Sequence, residues 1–358
     1  MAYSFSNYRY HYKNLLSLGF PLIVGQVGTI VLGFADTLMV GHHSVRELAA
    51  ASFVNTVMAI VLVFAMGFSY GLTPVIGQLF GKGNTQEIGS VVKNGLLAAS
   101  TTAAVLLLVL FAVFFNIRNM GQPEELIPLM RPYLIVNMVS LPFVCWFNTF
   151  KQFFDAIGHT KTSMYIMVAG NVVNILGNYL LIYGPGFMPE LGLLGAGLST
   201  MLSRILMCVA TAYIYLFAKK YHTYSKSLHA ASLSMAEYKH INKLSWPVAL
   251  QMGMESSAFA LTGIMAGWLG TIALATHQIM ITISQLFFMV YYGITAAVSV
   301  RVSFYIGQGE IQKLRQVAAA GFHIILVIGC LVSIPVLLLR HDMGYWFADN
   351  DEVARMCS

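Results

Sequence analysis

Residues 17–41, SLGFPLIVGQVGTIVLGFADTLMVG, form a long apolar run broken by a single acid, Asp36. A run of that length can cross the hydrocarbon of a bilayer as a helix, which takes about 20 mostly apolar residues. Eight comparable segments follow it, giving nine in all, at approximately 15–40, 48–73, 91–115, 127–150, 162–183, 194–217, 244–268, 273–299 and 317–339. A chain built this way cannot fold in water around one core. Only 9% of its residues are charged, where a soluble domain carries about 25%, and the mean hydropathy is +0.72. Short segments of alternating polarity, the mark of an outer-membrane barrel, are absent. The expectation is an all-α integral membrane protein.

The first run is too long for a signal-peptide core and no small-residue cleavage site closes it, so it is expected to stay as an anchor. Cys145, Cys208 and Cys330 fall in spans and Cys357 near the end, with no spacing that suggests a metal site or disulfide framework. The net charge of +6 raises the question of a nucleic-acid partner, and its distribution answers no. With the N-terminus placed inside, Lys and Arg fall fourteen inside against five outside, the inside set including Lys82, Lys93, Lys151, Lys161 and the cluster from Lys219 to Lys243. This is the positive-inside bias, which puts the N-terminus in the cytoplasm. A bacterial inner membrane is the expected location.

The chain also matches itself without gaps at an offset of 226 residues, the distance from Pro21 to Pro247. Gly41 falls on Gly267, Thr56 on Thr282, Gly67 on Gly293, Gly81 and Gly83 on Gly307 and Gly309, and Gly95 on Gly321. Each copy holds two spans, a glycine-bearing loop (GKGN, GQGE) and a third span. The first copy continues through six spans to a basic stretch at 218–243, which reads as an interdomain linker. Six being even, both copies enter the membrane in the same sense, the parallel repeat of a transporter. The expected division is residues 1–225, a lobe of six spans, and 226–358, an incomplete second lobe of three.

Twelve of the 14 acidic residues map to loops or span ends; Asp36 and Glu255 alone lie well within spans. An acid at the bilayer centre costs about 2.5–3.5 kcal/mol on the mildest scale and is a functional candidate by default. Under the repeat, Asp36 corresponds to Thr262 and Glu255 to Thr29, two helical turns apart on equivalent faces of equivalent helices. The fifth span carries GNVVNILGNYLL, with Asn171, Asn174 and Asn178 on one face. Amides are poorly solvated in lipid, so that face should look into the protein. Asparagine carbonyls with a carboxylate make an oxygen site for a small cation such as Na+, a hydrogen-bonded cluster around a protonatable acid, or simple interhelical glue. Thr200 and Ser203 on the sixth span are weaker candidates for the same cluster. His277 reads as a packed or interfacial histidine, and Gly192, Gly195 and Gly197 as marks of close helix packing. Arg204 is the one basic residue within a span; snorkelling, pairing and lining a cavity are its three options. No HExxH, P-loop, GxSxG or Cys/His metal spacing occurs. The expectations are no enzyme, no bound cofactor and an ion gradient as the energy source.

The ordered set PLIVGQ…FADTLMVGH…LAAASF, GLTPVIGQLFGKGN, DAIGHTKTSMY, GNVVNILGNYLLIYG…PELGLLGAGLST and LATHQI…AAVSVRVSFYIGQGE resembles the multidrug and toxic compound extrusion family over nearly the whole chain. The resemblance implies an antiporter of two six-helix lobes that exports drugs and organic cations in exchange for Na+ or H+, a monomer among membrane lipids. It implies that Asp36 is the first-helix acid of the N-lobe cation site, with Asn174 and Asn178 as its fifth-helix partners. Some relatives carry Asp at the position of Asn178. Glu255 matches the seventh-helix acid of the other lobe, with Tyr291 or Tyr292 as an eighth-helix neighbour. A lipid or oligosaccharide-lipid flippase of related fold is the alternative; it would carry more cationic residues facing its cavity. Because the second copy has room for three spans only, and WFADNDEVARMCS at the end resembles the loop before the fourth span of the first copy, a C-terminally incomplete chain is expected. Glu255 would then lie beside an open flank.

Overall fold

A computed structural model describes residues 5–185 and 189–343; the closing stretch with Cys357 lies outside the described residues. Eleven α-helices follow one another: α1 (Phe5–His43), α2 (Val45–Tyr70), α3 (Leu72–Gly81), α4 (Thr85–Asn116), α5 (Ile127–Ala156), α6 (Thr160–Tyr183), α7 (Gly192–Phe217), α8 (His222–Ala230), α9 (Met235–Trp268), α10 (Thr271–Gln308) and α11 (Ile311–Met343). Helix is forced wherever the chain meets lipid, since each backbone N–H and C=O must be paired inside its own segment. The nine expected segments are all helical, α2 and α3 together forming one of them. Among the described residues, 8 helical stretches are long and apolar enough to cross a membrane. The exception is α9, whose apolar surface is interrupted by Gln251, Glu255, Ser256 and Ser257.

Two boundaries differ from the sequence reading. The expected segments 15–40 and 244–268 begin close to Pro21 and Pro247, whereas α1 and α9 start well before these prolines and hold them inside the helix, because both helices run on beyond the apolar run. The extension of α1 is held by α11: Tyr12 Oη bonds His323 Nδ1 (2.8 Å) and His11 Nε2 bonds Gln316 Oε1 (3.2 Å). The second difference is the basic stretch 218–243, which is not a loop. It forms a short 3₁₀ turn, α8 and the start of α9, and α4 anchors it. Ser90 Oγ and Asn94 Nδ2 donate to Glu237 Oε2 (2.7 and 2.6 Å), and Lys93 Nζ donates to the Ala231 carbonyl (2.7 Å).

The repeat appears as paired contacts that obey the same offset. Gly67 packs on Ala249 Cα, and Gly293 packs on Ile23, the residue offset from Ala249. Gly71 lies against Ser245, and Gly19, its partner by the offset, lies against Ala297. Gly77 meets Ser303, its own equivalent, while Gly81 rests on the Phe304 backbone and Gly307 on that of Gln78. These reciprocal contacts place a pseudo-twofold between α3 and the end of α10. Glycine is needed there because two helices meet backbone to backbone: a Cβ on Gly307 would stand 3.0 Å from Gln78 Cα. The loop glycines Gly83 and Gly309 share the left-handed conformation, with φ of 73° in both, which ends α3 and α10 alike.

Overpacking a tight contact costs about 1–3 kcal/mol, so Gly307→Val should lower the thermal midpoint of the detergent-purified protein by several degrees. Gly33→Ala, at a site with nothing within 4 Å, should leave it unchanged. Equal midpoints for the two variants would show that the α3–α10 approach does not matter to stability.

Two apolar cores fill the first copy and its contact with α9. One joins Val54, Met58, Leu106, Met130, Leu134 and Leu193; the other joins Phe68, Ile76, Phe153, Phe154, Tyr215 and Ile241. Between them, α1, α2, α5, α6 and α7 surround a cavity. Gly195 against the Leu181 backbone and Gly197 against the Tyr133 ring permit the close helix contacts beside it, the packing role the sequence suggested.

Candidate functional site

The cavity has a volume of about 430 Å³ and is lined by polar residues from five helices, among them Asp36, Asn55, Tyr133, Asn137, Thr200 and Arg204. Asp36 projects from α1 toward α6. Asn178 Nδ2 donates to Asp36 Oδ1. The Asn174 amide meets its partners best with its nitrogen donating to Asp36 Oδ1 (2.9 Å) and its oxygen accepting from Thr200 Oγ1 (3.0 Å). Asn174 and Asn178 are both fully buried at 0% exposure, as expected of amides that cannot face lipid. No protein donor reaches Asp36 Oδ2 among the described residues.

The structure brings together Asp36, Asn174, Asn178 and Thr200, a grouping that the sequence offered as a candidate, with Thr200 the weaker member. Asn171, on the same face of α6, lines the cavity without joining the cluster, and Ser203 lines it one turn beyond Thr200. Asn178 Oδ1 is buried with no hydrogen-bond partner. A buried unpaired carbonyl costs about 1–3 kcal/mol, so this oxygen is a standing acceptor beside a carboxylate. With both amide nitrogens turned to Asp36 Oδ1, the oxygens left without a protein donor at the cluster are Asp36 Oδ2 and Asn178 Oδ1. There is one acid, and among the described residues no three His, Cys, Asp or Glu side chains converge. Such a set suits one positive charge, a monovalent cation or a proton, rather than a divalent metal.

Among the described residues Glu255 has no hydrogen-bonded cluster like that of Asp36, although its charge acts on Tyr292, one of its two expected neighbours. It is exposed and has no hydrogen bond or ion pair among the described residues. Tyr292 turns toward the first copy, its ring edge-on to Tyr70 at 5.6 Å, and Tyr291 Oη lies toward Gly329 of α11. Tyr292 and Tyr70 line a second, smaller cavity of about 160 Å³ between α1, α2, α3, α5 and α10. Gln26, Tyr70 and Lys151 belong to both cavities, and Gln26 Nε2 donates to Tyr70 Oη (3.2 Å).

The sequence reading missed two charged residues. Lys151 and Asp155, assigned there to the cytoplasmic end of a span, are buried in α5 at 7% and 3% exposure. Lys151 Nζ and Asp155 Oδ2 form an ion pair at 2.8 Å, and Ser163 Oγ donates to Asp155 Oδ1 (2.9 Å). The i, i+4 spacing was a usable signal; that the packing of other helices around α5, with Ser163 of α6 on Asp155, buries both side chains was not visible in one dimension. Arg204 lines the cavity rather than snorkelling. Its Nη1 donates to Asn137 Oδ1 (3.2 Å) and Ser140 Oγ (2.8 Å) of α5. His277 is half-buried at the start of α10, as a packed histidine would be.

A model of the MatE family matches residues 21–180 and 247–358. The fold is similar to that of a eukaryotic MATE transporter, at 18% identity and TM-score 0.85 over 98% of this chain and 78% of that one. It is similar to an outward-facing multidrug resistance MATE family transporter of the MOP superfamily, at 22% identity and TM-score 0.84 over 97% of this chain and 77% of that one. A third is a MOP superfamily transporter from Pyrococcus furiosus, whose binding pocket of reverse polarity suggests a different function for that protein; it is 23% identical, with TM-score 0.83, over 97% of this chain and 76% of that one.

Proposed function

From the premise that this chain belongs to the MatE family and is a multi-pass membrane transporter rather than an enzyme, we propose that it exports organic cations and drugs in exchange for Na+ or H+ bound at Asp36. The observation that carries this reading is the cluster itself: one carboxylate in a cavity, tied through Oδ1 to two buried amides, beside the unpaired Asn178 Oδ1. Asp36, Asn174, Asn178 and Thr200 would hold the coupling ion, with Asp36 alone changing its charge state if the ion is a proton. A cationic drug and the coupling ion compete for that carboxylate, so occupancy by one expels the other.

Exchange of one monovalent cation for one monocationic drug cancels the membrane-potential contribution, about 2.3 kcal/mol per charge per 100 mV. The concentration ratio of the ion then drives export, at about 1.4 kcal/mol per tenfold. In this reading residues 1–225 and 226–358 are the two lobes, the N-terminus is cytoplasmic, the protein works as a monomer in the inner membrane, and Glu255 with Tyr291 or Tyr292 serves the second lobe's cation or substrate site. The flippase alternative asks for a strongly cationic cavity. Of the two cations present, Lys151 is neutralised by Asp155, which favours the antiporter.

The test is efflux of a fluorescent organic cation from proteoliposomes or cells under imposed Na+ or pH gradients. An opposing gradient of one ion should raise the efflux rate at least fivefold, and an ionophore for that ion should abolish the gain. Efflux that ignores both gradients would overturn the coupling.

A further inference from the structure

Arg204 is a charge the coupling cluster does not use. It sits inside α7, lines the same cavity as Asp36, and has no acid within ion-pair distance among the described residues. A guanidinium stays protonated in proteins, and within a spanning helix its cost marks it as functional by default. Asn137 and Ser140 take two bonds from Nη1 and are neutral, so they position the group without cancelling its charge. The other cation on the cavity wall, Lys151, already has its counter-ion in Asp155. The remaining charges of the cavity are thus one acid, Asp36, and one base, Arg204, which feel each other across it without forming a direct ion pair among the described residues.

The two are held apart. Asp36 is engaged through Oδ1 by α6, and Arg204 through Nη1 by α5. A cavity of about 430 Å³ falls in the range that holds small organic molecules, about 300–1,000 Å³. A planar guanidinium, with its forked donors, matches the two oxygens of a carboxylate or the face of a phosphate.

We propose that Arg204, positioned by Asn137 and Ser140, is an anion-binding subsite of the cavity, so that the preferred substrates are amphoteric organic molecules with a cationic nitrogen for Asp36 and an acidic oxyanion for Arg204. The proposal rests on the antiporter reading for the role of Asp36, and it names the class of substrate at that site. A purely anionic solute is disfavoured by Asp36 across the same cavity, and a simple monocation leaves Arg204 without a partner.

The test uses the purified full chain in detergent with no ion gradient, so that coupling is not read. The probes are a rhodamine bearing a free carboxylate and the methyl ester of the same dye, with binding followed by fluorescence polarisation. The wild type should bind the free acid at least tenfold more tightly than the ester. Arg204→Gln should lose that preference, weakening the acid tenfold or more while holding the ester within twofold; Arg204→Lys should keep part of it. Retained ester binding shows that the variant is folded. Equal loss of both dyes in Arg204→Gln would mark a structural role and overturn the proposal, as would no loss of either. If Arg204→Gln does not fold, the wild type decides alone: equal binding of acid and ester overturns the subsite. Wild type that binds the ester but not the acid sinks the anion subsite and leaves the antiporter reading intact. Binding of neither dye counts against both.

Discussion

Cells expressing Asp36→Asn should retain a fluorescent organic cation as fully as cells without the transporter, with the efflux rate at least tenfold below wild type. The substitution preserves size and a hydrogen-bond acceptor, so Asn178 and Asn174 keep a partner on α1 and the helix packing should persist. It removes the single acid of the cavity, and with it the group that can alternate between an ion and a cationic drug. Without a charge there is neither a site that discharges on protonation nor a strong oxygen ligand for Na+. Surface expression and monodispersity on gel filtration, measured alongside, separate loss of coupling from loss of protein. A variant that is well expressed and still moves drug against its gradient would remove Asp36 from the coupling role.

The second large effect is on stability. Asp155→Ala should leave Lys151 as an unpartnered buried charge, and breaking a buried pair by removing one partner costs about 3–5 kcal/mol. The Ser163 hydroxyl loses its acceptor as well. The variant is expected to reach the membrane in reduced amount and to aggregate at clearly lower temperature after solubilisation. Replacing both partners, Lys151→Met with Asp155→Leu, should recover most of the loss, because apolar side chains of similar volume carry no unpaired charge. Thermal aggregation profiles of the two variants and wild type check this. A single variant as stable as wild type would mean that water reaches Lys151 and the pair is not buried in the membrane-bound protein.

The contrast between these two acids shows which parts of the molecule are legible from its residues. Asp36 stands out because it breaks an apolar run, and that signal needs no neighbours. Its partners on α6 were legible for a related reason: a row of amides with helical spacing has nowhere to go but inward. Asp155 gave no such signal. It lies at the end of its apolar run beside a lysine, where solvent is the ordinary expectation, and only the packing of other helices around α5 buries it. Glu255 shows the reverse. Its position in the repeat suggests an equivalent of Asp36, yet among the described residues it is exposed and has no hydrogen bond or ion pair, since a repeat specifies where a side chain starts and not what other helices bring to meet it.

Class, helix positions and the internal repeat follow from the sequence alone, because they depend on local physics: apolar length against bilayer thickness, backbone pairing within each segment, and residues counted along one chain. The cavity, the Lys151–Asp155 pair, the unpaired Asn178 carbonyl and the placement of Arg204 across the cavity from Asp36 were decided by tertiary structure. Each depends on which helices cover a side chain and which donor or acid they place beside it. Residues such as Asn55, Asn137 and Arg204, 67 positions apart for the Arg204–Asn137 bond, share one wall only after α2, α5 and α7 pack, and no local pattern records that distance in space.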